Sequence, residues 1–117
     1  MFKFINRKSD EDSRSEQPAG AQGKKTDIVR EHILFRGSVQ GVGFRYTAYH
    51  LAQELRMTGW VKNNYDGSVE CEIQGKTYEI EQFLAKLSMQ RWISIDEMER
   101  ETISTVPDES SFHIIGY

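Results

Sequence analysis

The stretch "GSVQGVGFRY", residues 37 to 46, places three glycines and an arginine between an apolar run and a helix-like pattern. Gly41 and Gly43 permit positive φ angles and let a ligand approach the backbone closely. A strand, a glycine-rich turn and a helix start point several backbone N–H groups at one place, where the helix dipole also favours an anion. The stretch therefore predicts a phosphate-binding loop. Its predicted binding residues are Gln40, Gly41, Val42, Gly43, Phe44 and Arg45.

Arg45 falls in the first turn of the predicted helix, where a cation opposes the helix dipole by about 0.3 kcal/mol or more. Its presence there therefore suggests a function. The guanidinium fork matches the planar edge of a phosphate and would add the positive charge that the backbone lacks. The alternative is a plain strand-to-helix turn with a solvated arginine.

Several other kinds of site are excluded by spacing and composition. The loop is neither G-x-x-x-x-G-K-[ST] nor G-x-G-x-x-G, which excludes the common nucleotide-binding motifs. RNA-recognition domains carry aromatic residues on their third strand, but the corresponding segment here, "SVECEIQ", has none. Cys71 is the single cysteine, so an internal disulfide is impossible, and His32, His50 and His113 are too scattered to predict a metal site.

The chemistry follows from the groups that the candidate site lacks. No His, Asp or Glu occurs between positions 37 and 49 or between 59 and 65. Removing a phosphoryl group from a carboxylate needs no proton donor, because a carboxylic acid has a pKa of about 4. Arg45 and the loop amides would stabilise the charge on the transferring phosphoryl group. Asn63 or Asn64 would align the attacking water, and the residues alone leave that choice open.

The rest of the chain supplies elements that would position this site. The run "IVREHILFRG" predicts a strand in the middle of a sheet, and a hairpin turn is predicted at Asp66-Gly67. "ISIDEMERETI" and "SFHIIGY" predict one or two closing strands. Two helices are predicted from apolar stripes at helical spacing. The stripes are Phe44, Ala48, Leu51, Ala52 and Leu55 in the first helix and Ile80, Phe83, Leu84 and Leu87 in the second.

The resulting order, βαββαβ, predicts an α+β fold. Hairpins combined with crossover helices are typical of the ferredoxin-like α/β sandwich. We expect an antiparallel sheet of four to five strands with both helices on one face.

Composition changes near residue 28. Residues 1–27 are polar beyond the first five positions, which predicts a disordered extension, and residues 28–117 form the predicted domain. The alternative is that "MFKFI", with the basic pair at 7–8, docks on a membrane or a partner. The domain holds nine Lys/Arg and thirteen Asp/Glu, so a general nucleic-acid surface is not expected. No apolar run is long enough to span a membrane. We expect a cytoplasmic monomer with neither a nucleic-acid nor a membrane partner.

Two segments resemble the signatures of a known family. "GSVQGVGFR" and "GWVKNNYDGSVE" are similar, in this order, to the two acylphosphatase signatures, and the resemblance extends from about Val29 to Tyr117. It implies a ferredoxin-like sandwich with no metal or organic cofactor. It also implies that Arg45 binds the phosphate, that Asn63 orients the water, and that the substrates are small carboxyl-phosphate anhydrides. The 27-residue extension and residues 88–109 depart from the family pattern.

Two other functions are considered. Ferredoxin-like sandwiches often serve as non-catalytic modules, so the alternative is an anion-binding or interaction module on the same fold. The chain also resembles the acylphosphatase-like module of hydrogenase maturation proteins, although the zinc-finger-like and larger domains that accompany it are missing from this sequence.

Overall fold

The computed structural model describes residues 24–116 and, for its backbone, a strand at 3–6. The strands are β1 (Lys3–Asn6), β2 (Ile28–Ser38), β3 (Thr58–Asn63), β4 (Val69–Lys76), β5 (Ser94–Ile103) and β6 (Phe112–Ile114). The helices are α1 (Phe44–Glu54) and α2 (Thr77–Ser88). Within the described ranges, neither helix is long and apolar enough to cross a membrane.

Among the described residues, six strands form one sheet in the order β1-β5-β2-β4-β3-β6. Central β2 is antiparallel to both β4 and β5, and β3 is antiparallel to β4. This arrangement confirms the predicted ferredoxin-like fold. The predicted antiparallel sheet of four to five strands differs in two details: the described sheet has six strands, and β6 runs parallel to β3 and β1 parallel to β5. Both parallel strands lie at the edges and are reached by non-hairpin connections, which parallel pairing requires.

The core lies between the two helices and one face of the sheet. Both predicted apolar stripes are buried, except that Leu55, just after the end of α1, is only partly buried. On the sheet side they meet residues at alternate positions, since successive strand side chains point to opposite faces. These residues are Ile33, Phe35, Val61, Val69, Cys71 and Ile73. The packing fixes α1, and with it the loop before α1, against the end of β2.

Two parts of the N-terminal region, which was predicted to be disordered, make hydrogen bonds to the rest of the chain. Residues 3–6 form a strand along β5. The carbonyls of Asp27 and Lys25 accept hydrogen bonds from the N–H groups of Thr77 and Tyr78, at 3.1 and 3.2 Å. They satisfy two N–H groups in the first turn of α2 that have no partner within the helix. Residues 3–6 and 25–27 therefore contact the rest of the chain, and the domain boundary at residue 28 stays a prediction. Residues 1–2, 7–23 and 117 lie outside the described part of the chain.

The connection from β5 to β6 is held on the sheet face opposite the helices. The buried Arg30 guanidinium on β2 donates to Glu109 at 2.6 Å and to Glu72 at 2.9 Å. The Gln74 carboxamide on β4 both donates to the Val106 carbonyl, at 3.1 Å, and accepts from the Val106 N–H, at 2.8 Å. This segment, residues 104–111, is called the strap below. It carries the chain across to β3, beside which the edge strand β6 lies.

Candidate active site

The loop between β2 and α1 has the conformation that its glycines permit. Gly41 and Gly43 have φ angles of 76° and 80°, in the left-handed region that favours glycine. A Cβ atom added at either position would meet nothing within 4 Å, so backbone conformation and not lack of space requires glycine. The loop is therefore open to a ligand on the side where side chains are absent.

The start of α1 has no side-chain cap among the described residues. Gly43 is the N-cap residue, and within the described chain no side chain caps the helix and no acidic residue lies in its first turn. Helix α2 differs, because Glu79 accepts a hydrogen bond from the Lys76 N–H at 3.3 Å. The first N–H groups of a helix have no intrahelical acceptor and carry the positive end of the dipole. At α1, among the described residues, the positive end of the dipole is therefore not neutralised by a capping side chain or an acidic residue.

The loop, the start of α1 and the end of β3 surround a pocket of about 340 Å³. Its lining residues are Val39, Gly41, Gly43, Phe44, Arg45, Tyr46, Asn63 and Ile114. Of the residues predicted from the sequence, Gly41, Gly43, Phe44, Arg45 and Asn63 meet here. Gln40 and Val42 are not among the residues that line the pocket. The structure thus brings together most of the predicted loop and the predicted asparagine.

The two adjacent asparagines occupy different places. Asn63 ends β3 on the same face as the buried Val61, and it lines the pocket. Its Oδ1 atom is buried and has no hydrogen-bond partner among the described residues. Asn64 belongs to the β3–β4 turn, where its Nδ2 donates to Ser68 Oγ at 3.0 Å. Of the two carboxamides, the one that lines the pocket with a buried oxygen lacking a partner among the described residues is therefore that of Asn63.

Gln40 uses its side chain to hold the loop. Its Nε2 donates to the carbonyls of Asn64 and Ser68, at 2.7 and 2.8 Å. Both acceptors belong to the turn that follows Asn63, so the carboxamide of Gln40 ties the phosphate-binding loop to β3. The sequence predicts that Gln40 belongs to the phosphate-binding loop, and this stays a prediction; the two hydrogen bonds of its side chain set the spacing between that loop and Asn63.

The β3–β4 turn is itself held by a carboxylate. Asp66 accepts hydrogen bonds from the Ser68 hydroxyl at 2.6 Å and the Ser68 N–H at 2.9 Å. These bonds, with a smaller contribution from the Arg36 guanidinium at 3.3 Å, lower the pKa of Asp66. A carboxylate that stays ionised keeps accepting both bonds, which keeps the turn in shape near neutral pH.

Three residues that line the pocket were missed by the sequence prediction: Val39, Tyr46 and Ile114. Tyr46 follows Arg45 in the first turn of α1, and its ring contacts that of His50 edge to face, with centroids 4.6 Å apart. Its adjacency to Arg45 was the signal available in the sequence. Ile114 reaches the pocket because β6 pairs with β3 so that Ile114 lies beside Val61. No local pattern indicates that pairing.

A family model for acylphosphatase matches residues 31–114. The chain belongs to the acylphosphatase family. The acylphosphatase of Geobacillus thermodenitrificans is 41% identical over 89 residues, which cover 75% of this chain and 95% of that one. The solved acylphosphatase structure from Coxiella burnetii is 32% identical with a TM-score of 0.69, covering 81% of this chain and 99% of that one.

The chain is also similar to part of a larger protein. Full-length HypF matches with a TM-score of 0.70 and 30% identity, covering 81% of this chain but 13% of that one. The likeness therefore extends to one small part of HypF. The stand-alone acylphosphatases match along nearly their whole length, so the acylphosphatase fold accounts for residues 31–114 without the rest of HypF.

Proposed function

We propose that this member of the acylphosphatase family hydrolyses acyl phosphates to a carboxylate and inorganic phosphate, with Arg45 and Asn63 as its catalytic residues. One observation supports the assignment of roles most strongly. The uncapped start of α1 with Arg45 and the buried, unpartnered Oδ1 of Asn63 belong to the same pocket. The uncapped helix start and Arg45 suit a phosphate, and the carboxamide oxygen of Asn63 suits a water molecule next to it.

The phosphoryl group would be held by backbone and guanidinium together. The N–H groups of Gly41, Gly43 and Phe44 and the side chain of Arg45 would donate to its oxygens. Phosphoryl transfer has a loose transition state with charge spread over the equatorial oxygens, so donors fixed at these positions supply much of the catalysis. The backbone N–H groups of Gln40 and Val42 belong to the same proposed loop, although neither residue lines the pocket.

The carboxamide of Asn63 would align the nucleophile. Its oxygen accepts a hydrogen bond from water, and the water oxygen attacks phosphorus from the side opposite the acyl group. The bond between phosphorus and the bridging oxygen breaks, and the carboxylate leaves with the electron pair. It leaves without protonation because its conjugate acid has a pKa of about 4. The proton of the water passes to an oxygen of the phosphate itself.

The donor set of the pocket leads us to propose metal-independent turnover. The positive charge comes from Arg45 and from the helix start, and none of the lining residues is a carboxylate or a histidine. Within the described ranges, no three His, Cys, Asp or Glu side chains are grouped to bind a metal ion. We also propose that the enzyme acts as a monomer, since one chain supplies every group that the proposed mechanism uses.

The test is hydrolysis of benzoyl phosphate, followed by ultraviolet absorbance, with and without EDTA. We expect turnover that EDTA leaves unchanged, and little or no turnover of p-nitrophenyl phosphate, whose phenolate is a poorer leaving group. Inorganic phosphate should inhibit competitively. Loss of activity on chelation, restored by added magnesium, would refute the metal-free mechanism. Phosphate binding without any turnover would instead support a non-catalytic anion-binding module.

A further inference from the structure

The pocket has an apolar side that the phosphate does not use. Tyr46 and Ile114 line it and remain 63% and 39% exposed. They come from α1 and from β6, which are distant in sequence, and both are large side chains beside an anion site. Single exposed apolar residues are ordinary on a protein surface, but an apolar wall beside convergent polar groups is typical of a ligand pocket.

The other apolar residues of the pocket offer little area to a ligand. Val39 is fully buried and Phe44 is 2% exposed, so both are already used by the core. A substrate group that extends from the phosphate seat would therefore meet Tyr46 and Ile114. The edge-to-face contact with His50 orients the Tyr46 ring, and pairing with β3 places Ile114.

Charge further restricts the substrate. Arg45 is the one charged residue among those that line the pocket in the described part of the chain. The proposed mechanism uses its charge on the reacting phosphoryl group. The lining residues therefore offer no second cation for an acyl group that itself carries a negative charge.

From these observations we infer that Tyr46 and Ile114 form an acyl-binding wall that selects acyl phosphates with an uncharged, apolar or aromatic acyl group. This inference rests on the proposed function and adds a substrate class to it. An aromatic acyl group would contact the Tyr46 ring, and such ring pairs contribute about 0.5–1.5 kcal/mol beyond their buried area, or roughly a three- to tenfold preference. An acetyl group is too small to make that contact.

The experiment compares kcat/KM for benzoyl phosphate with kcat/KM for acetyl phosphate in Tyr46→Ser and Ile114→Ser. The matched controls are Tyr78→Ser and Ile115→Ser, because these residues are 40% and 38% exposed but do not line the pocket. We expect the benzoyl-to-acetyl ratio to fall about three- to tenfold in Tyr46→Ser and by a smaller factor in Ile114→Ser. The ratio should keep its wild-type value in both controls.

The inhibition constant of inorganic phosphate separates the acyl wall from the phosphate seat. We expect it to change by less than about twofold in both wall variants, since phosphate carries no acyl group. An unchanged benzoyl-to-acetyl ratio in an active Tyr46→Ser and Ile114→Ser would overturn the inference and leave the proposed function intact. Equal losses for both substrates, with weaker phosphate inhibition, would also overturn it. A wild-type protein inactive on every acyl phosphate would instead refute the proposed function.

Discussion

Replacing Asn63 with alanine separates catalysis from stability. The substitution removes the carboxamide proposed to align water but leaves the loop, Arg45 and the helix start unchanged. We expect Asn63→Ala to lower turnover of benzoyl phosphate by about 100-fold or more, which is typical when one transition-state hydrogen bond is lost. Phosphate should still inhibit with an almost unchanged constant, because its proposed contacts are elsewhere.

The effect on folding should be small. Asn63 Oδ1 is buried without a partner among the described residues, so alanine breaks no hydrogen bond between that oxygen and them. The space that alanine leaves opens into the pocket. We therefore expect the free energy of unfolding to stay close to the wild-type value while activity falls.

Asn64 provides a matched control one residue away. Its Nδ2 donates to Ser68 Oγ in the β3–β4 turn, so Asn64→Ala loses a hydrogen bond that the folded protein uses. A typical intramolecular hydrogen bond contributes about 1 kcal/mol. We expect Asn64→Ala to lose about that much stability and to keep turnover within a few-fold of the wild type. Asn63→Ala should thus lower activity without loss of stability, whereas Asn64→Ala should lower stability with little loss of activity.

The measurements are kcat and KM for benzoyl phosphate, phosphate inhibition, and urea unfolding of both variants. If Asn63→Ala were active and Asn64→Ala inactive, the water would be aligned by the other asparagine. If Asn63→Ala lost phosphate inhibition together with turnover, Asn63 would bind the phosphate and not the water. Either result would refute the proposed role of Asn63.

Three further predictions concern the loop arginine, the N-terminal region and the cysteine. Arg45→Ala should abolish phosphate inhibition and lower turnover about 100-fold or more, with the exposed Arg91→Ala as an unaffected control. Deleting residues 1–27 should lower Tm by about 4 °C or more relative to deleting residues 1–23, since only the longer deletion removes the carbonyls that cap α2. Equal Tm values for the two deletion variants would contradict this prediction. Turnover of benzoyl phosphate should be the same in both variants. Burial raises the pKa of Cys71, so a thiol reagent should label it only after unfolding.

The helices could be predicted from the sequence because apolar residues at helical spacing mark the face of a helix that is buried. All four apolar residues of the α2 stripe are buried, as their spacing predicted. The same holds for Val69, Cys71 and Ile73, which alternate with more polar residues on β4 and face the core. In these segments one side faces the core between helices and sheet and the other side does not. The spacing of apolar residues in the sequence therefore matches the burial seen in the structure.

Most of the loop residues proposed to bind phosphate line one pocket, as the sequence predicted, because they are neighbours in the chain. The loop and Arg45 are contiguous, and a hairpin signal fixes where the next strand ends. What the sequence could not show is the contact made by Gln40, whose donor groups reach a turn 24 and 28 residues away. Its place inside the glycine-rich motif predicts phosphate binding, and in addition its side chain joins two elements that only the fold brings together.

The proposed acyl-binding wall depends on contacts between residues far apart in the sequence, which no local sequence pattern indicates. Ile114 lines the pocket only because the strap crosses the sheet and β6 adds to the edge of β3. The strap is anchored by Arg30 and Glu109, which lie 79 residues apart, and neither has a sequence neighbour that indicates the pairing. We therefore expect substitutions in the strap to alter the proposed acyl wall without changing the proposed phosphate-binding loop. In the proposed site, the acyl wall depends on long-range contacts, whereas the phosphate-binding groups come from two short motifs.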